Sequence, residues 1–123
     1  MAGTVTTTPI PILVGSKVKV VSTTDQAADR TVLLLLRGLG GPAEGYAFKS
    51  ALIDQSEDDN NSVAVDILGY EVVAIIVPTG WTASNVTFSI DPGDETFYAV
   101  TGLTLVTPTP NTVTFLNTVG TTV

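Results

Sequence analysis

Apolar and polar residues alternate along much of this chain with a period of two. Lys17 and Lys19 interleave with Val18 and Val20. Val63, Val65 and Ile67 interleave with Ala64 and Asp66, and Val86, Phe88 and Ile90 with Thr87 and Ser89. Successive side chains on a strand point to opposite faces, so this spacing predicts strands with one buried face. It places strands over Ile12 to Val21, Tyr46 to Ile53, Ser62 to Leu68, Asn85 to Ile90 and Thr96 to Val100, with further ones at Gly102 to Thr107 and Thr112 to Leu116. Thr31 to Leu36 is a short apolar run, as expected of a central strand covered on both faces. Tyr70 to Val77 is the longer apolar run and the candidate for the central strand.

Breakers separate these runs. Arg37 to Gly45 holds four glycines and a proline and reads as a loop. Asp54 to Asn61 is an acidic loop, Gly69 a turn, Pro78 to Ala83 a loop around Trp81, and Asp91 to Glu95 a tight turn. The result is about eight or nine short strands at the spacing of an antiparallel sandwich or barrel. The expected fold is an all-β, antiparallel β-sandwich of jelly-roll-like winding, with an immunoglobulin-like sandwich as the second choice. Residues 1–11 read as an extended N-terminal arm, because Pro9 and Pro11 bracket Ile10 and remove the backbone donors that a central strand needs. Residues 12–123 read as one domain.

Composition reinforces the β reading. Thr, Val and Ile supply 44 of the 123 residues, and such side chains pack well on a pleated sheet while losing rotamer freedom in a helix. Charged residues are 14%, against roughly 25% in an ordinary domain, which suits a surface partly covered by a partner. The net charge is −7, which argues against nucleic acid. Five basic and three acidic residues in the first 49 positions give +2, and the remaining nine acids stand without a base, for −9. That split predicts one strongly acidic face or end and one nearly neutral. No apolar run approaches the ~20 residues that span a bilayer, and the N-terminus lacks the pattern of a secretory leader.

Candidate chemistry is thin. The chain has no Cys and no His, so it offers no disulfide, no thiolate or Ser/His/Asp catalysis and no Cys/His zinc site. The glycine loop from Gly38 to Gly45 lacks the Gly-Lys-Ser/Thr of a Walker loop; Pro42 and Glu44 stand there instead. The acidic loops lack EF-hand spacing, leaving only other loop geometries open to calcium. Asp66 and Glu71 would approach each other if Gly69 closed a hairpin, but no array of aromatics for a sugar cleft accompanies them. Asn60-Asn61-Ser62 and Asn85-Val86-Thr87 match glycosylation acceptors that matter only in a secreted chain. Trp81 either caps the core or, exposed on its loop, stacks on a sugar or anchors an interface. No enzyme activity, cofactor or metal is assigned.

A further pattern runs through Ser62-Val63-Ala64-Val65-Asp66-Ile67-Leu68-Gly69, Val72 to Pro78, Trp81-Thr82, Thr87-Phe88-Ser89, Gly93 and Phe97-Tyr98. This stretch, about a third of the chain, resembles small bacteriophage virion proteins of the capsid decoration, or cement, type. The resemblance implies a β-sandwich that binds the outer head surface and stabilises the shell, sitting on the virion after synthesis in the host cytoplasm. Its partners would be the major capsid protein and two further copies in a homotrimer, with no nucleic acid and no membrane. The candidate contact residues are Thr6, Thr8, Pro9, Ile10 and Pro11 on the arm, Lys17 and Lys19 on the first strand, and Trp81. The alternative function is a carbohydrate-binding module of a virion fibre or tail, resting on Trp81.

Overall fold

The computed structural model describes residues 13–40, 45–58, 60–100 and 107–116. Among these the chain is all-β, with no helix, and forms two four-stranded antiparallel sheets. The strands are β1 (Lys17–Ser22), β2 (Arg30–Gly38), β3 (Tyr46–Ile53), β4 (Val65–Asp66), β5 (Tyr70–Ile76), β6 (Val86–Asp91), β7 (Tyr98–Ala99) and β8 (Thr114–Phe115). One sheet has the order β4-β1-β6-β7 and the other β3-β2-β5-β8. Val18, Val20, Val65, Val86 and Phe88 from the first sheet meet Val32, Leu34, Leu36, Ile53, Val72 and Ile75 from the second in one buried cluster. A single core shared by two sheets is a sandwich-like arrangement, and each strand contributes its alternate residues to it.

The strands β3, β5 and β6 fall within a residue of their expected bounds. The strands expected at Thr96 to Val100 and Thr112 to Leu116 contract to Tyr98–Ala99 and Thr114–Phe115, and the one expected at Gly102 to Thr107 lies, up to Val106, outside the described residues. Four further expectations are corrected. The predicted strand from Ile12 to Val21 is split between the sheets. Leu13 and Val14 lie against β5, through a Leu13 carbonyl that accepts from Val72 N and a bridge to Glu71. The chain then crosses, and Ser16 N donates to Asp91 O on β6. Gly15 makes this crossing because nothing larger fits. A Cβ there would stand 2.6 Å from Ile90 Cγ2 and 2.9 Å from the Asp91 carbonyl oxygen. Gly15→Ala is therefore expected to destabilise the domain by about 2 kcal/mol through overpacking, read as a lowered urea midpoint with an unchanged slope.

The predicted strand from Ser62 to Leu68 contracts to Val65–Asp66. Its first residues stitch the sheets together instead: Ser62 N donates to Val20 O on one sheet, and Val63 N to Leu52 O on the other. The Ser62 hydroxyl also accepts from Val20 N. Lys49, which points inward from edge strand β3, reaches the same seam and donates to Asp66 O at 2.7 Å. An inward charge of this kind blunts an edge strand against unwanted pairing.

The loop expected to begin at Arg37 begins later, since β2 pairs with β3 through Arg37 and, past a register shift between Leu35 and Leu36, with β5 through Gly38. Lastly, β2 is covered on one face only. Val32, Leu34 and Leu36 are buried, while Leu33 and Leu35 are half-buried on the outer side. An internal strand is covered twice only where a further layer lies over its sheet, and among the described residues none does.

Candidate interaction surface

The two outward sheet faces differ in chemistry. On the first sheet, the register sets Lys17 opposite Asp66 and Asp91, and Lys19 opposite Ser89, with Thr87 beside them. The Lys19 ammonium lies 4.5 Å from the Phe97 ring centroid, a cation–π contact that holds it against the sheet. This face is polar and carries both signs of charge.

On the second sheet the outward positions are apolar. Register pairs Leu35 with Phe48 and Ala74, and Leu33 with Ile76. Phe115 pairs with Ala74 from the far side. Tyr46 is 69% exposed, Phe48 59% and Phe115 66%. Across β2, β3, β5 and β8 the only outward charges are Arg37 and Glu71, and these two are ion-paired across the strands. Glu71 is 3% exposed, so the pair contributes little field to the surface. It also settles the carboxylate pair expected at Gly69. Asp66 pairs with β1 and Glu71 with β2, in different sheets, because Gly69 carries the chain between sheets and closes no hairpin.

The acidic residues gather in turns at both ends of the strands. Ser22 N donates to Asn60 O, and Gln55 N to an Asp29 carboxylate oxygen, so Asp29, Asp54, Glu57 and Asp58 share one end. Asp91, Asp94 and Glu95 lie at the other, beside Ser16. The expectation of one acidic end and one neutral end is corrected: charge that is split along the chain is distributed to both ends, because successive strands run in opposite directions.

These carboxylates serve the turns. Asp91 accepts from the backbone of Gly93 and Glu95, and Asp94 from Thr96 N and the Tyr98 hydroxyl. That bond and the Asp94 charge hold the Tyr98 phenol above its ordinary pKa. Asp58 accepts from the backbone amides of Asn61 and Asn60, which hold its carboxyl below the ordinary value of 3.8. The stabilisation from Asp58 is complete above the ordinary carboxylate pKa and is lost as pH falls through the lowered one. Among the described residues no three acidic side chains gather where a metal ion would need them.

Of the predicted contact residues, Thr6, Thr8, Pro9, Ile10 and Pro11 lie outside the described residues. Lys17 is exposed and shares the polar face with Lys19. Trp81 is not with them. It is 7% exposed and belongs to the core cluster, with its indole Nε1 buried and without a hydrogen-bond partner among the described residues. Stacking on a sugar needs a bare ring face, and Trp81 presents almost none.

Gln26 fixes the Trp81 loop. Its side chain is buried, donates to Thr82 O and the Ser22 hydroxyl, and accepts from Thr82 N and Arg30 Nε. Nothing in the polar run from Ser22 to Asp29 distinguishes it beforehand. The apolar outer face did have a sequence signal, in the even spacing of Tyr46, Phe48 and Leu52 together with the unbroken run on β2. No family model, curated protein or solved structure matches the chain.

Proposed function

We propose that this protein is a bacteriophage capsid decoration, or cement, protein, without enzyme activity. In this reading it is a jelly-roll-like sandwich that binds the outer head surface as a homotrimer, with residues 1–11 as an arm along the major capsid protein. The observation that supports it is the pair of unlike outward faces. A protein that tiles a lattice needs one surface for the shell and another for its own neighbours. Here the face carrying Lys17 and Lys19 has the polar, mixed-charge character of a surface that docks on a shell. The face around Leu35 and Phe48 has the apolar character of a contact between copies. The first described residue, Leu13, is hydrogen-bonded to β5 just before the chain crosses to the other sheet, so the arm would start beside the seam between the sheets.

Binding that favours the expanded lattice over other states stabilises the shell by mass action. The test is to delete residues 1–11 and measure occupancy on purified expanded heads. The expected result is a loss of at least about tenfold in affinity, with the circular dichroism of the free protein unchanged. Full occupancy by the truncated protein would sink the arm's role, and no binding by the full chain would sink the function.

A further inference from the structure

We propose that the outward face of the β3-β2-β5-β8 sheet is the contact through which this chain binds a second copy of itself. A face that meets its own copy closes a two-fold dimer, so this contact joins two copies in addition to any three-fold assembly in the function proposed above, and it stands on observations that hold whether or not the chain decorates a capsid.

The first observation is the mismatch between sequence and cover. The side chains of Leu33, Leu35, Phe48, Leu52, Ile76 and Phe115 make one continuous outward patch across four strands. Strands that read as apolar on both faces occur in sheets covered on both faces. On the outward side of this sheet Ala74 and Glu71 are buried, while Phe48 and Phe115 are each more than half exposed.

Charge identifies the occupant. Each copy carries −7, so two copies repel unless they meet where neither places a bare charge. This face meets that condition, because Arg37 and Glu71 neutralise each other on it and the turn acids lie at the strand ends. A basic partner would be drawn to those turns, and an acidic one to Lys17 and Lys19 on the opposite sheet. The uncharged face therefore best suits an identical uncharged face.

Area sets the strength. Six residue steps along β2 and four strand widths give a face of about 20 by 19 Å, or about 400 Å² in plan per copy. A standard interface buries about 800 Å² per partner, so the contact is reversible and depends on concentration.

The test is sedimentation of the full chain over about a thousandfold range of concentration, at low and high salt. The expected result is a weight-average mass that rises from 12.7 kDa to at least twice that value, and rises more at high salt, where the repulsion between like-charged copies is screened. Phe48→Glu is expected to hold the protein at 12.7 kDa. Ser50→Arg is the second variant: it adds a charge on the exposed side of β3 and removes no apolar group. It should weaken association by at least about tenfold, with unchanged circular dichroism. Thr87→Lys, on the polar sheet, should leave association as it is. A wild type that stays monomeric throughout overturns the proposal, as does association that weakens in salt or survives both β3 variants. Head binding by a monomeric variant would separate this contact from the capsid reading, since it would leave that function in place.

Discussion

Phe88→Ala is expected to lower the unfolding free energy by about 4 kcal/mol, and in a domain of this length that is a fall of about 15 °C in melting temperature. Phe88 is among the largest fully buried side chains in the molecule. It stands on β6 opposite Val20 of β1 and faces the second sheet. Removing its ring loses the transfer energy of the ring atoms and leaves a cavity that two hydrogen-bonded sheets cannot close. Phe48→Ala is the matching control. Its ring stands on the outward face, so truncation there should cost under about 1 kcal/mol in the monomer. Denaturant melts of the two variants at low concentration test the assignment. Equal losses would show that the core has been placed on the wrong face of one of the sheets.

The second large effect is expected at the Arg37–Glu71 pair. Arg37→Leu should destabilise the domain by about 3 kcal/mol, because it removes the cation that is ion-paired with a buried carboxylate. Glu71→Leu alone should cost less, since the Arg37 side chain is about a third exposed and can turn to water. The double variant should recover most of the loss of Arg37→Leu, as apolar replacements of buried ion pairs commonly do. Chemical denaturation of the four proteins forms a complete double-mutant cycle. A double variant as unstable as the sum of the singles would show that the two residues act independently. Because the pair lies on the apolar outer face, removing both charges should also strengthen self-association there.

The two phenylalanines show how far the sequence could be read. Phe48 and Phe88 each sit in an alternating strand, and alternation is a local property: it follows from the pleat, which sends neighbouring side chains to opposite sides. It establishes that a strand has two faces and leaves open which face another sheet will cover. The second sheet settles that choice. On β3 the covered residues are Ala51 and Ile53, and on β6 they are Val86 and Phe88. Gly15 is a similar case. In the sequence it is one small residue inside a strand pattern, and only the approach of Ile90 and Asp91 makes it the crossing between sheets.

The sequence by itself determined the class of fold. It also determined the position of most strands and the turns that separate them. Each of these depends on residues close in the chain: β-branched side chains on a pleat, glycine and proline at breaks, and carboxylates that cap their own turns. Tertiary structure alone decided how the strands divide between sheets, and with it the fate of every charge and ring. The pairing of Glu71 with Arg37, the burial of Trp81, the spread of acids to both ends and the bare apolar face all depend on residues far apart in the chain. Long-range packing chooses among strand arrangements that local preferences leave equal. The surface that the sequence suggested as a partner contact therefore becomes a specific sheet face only once the two sheets have packed.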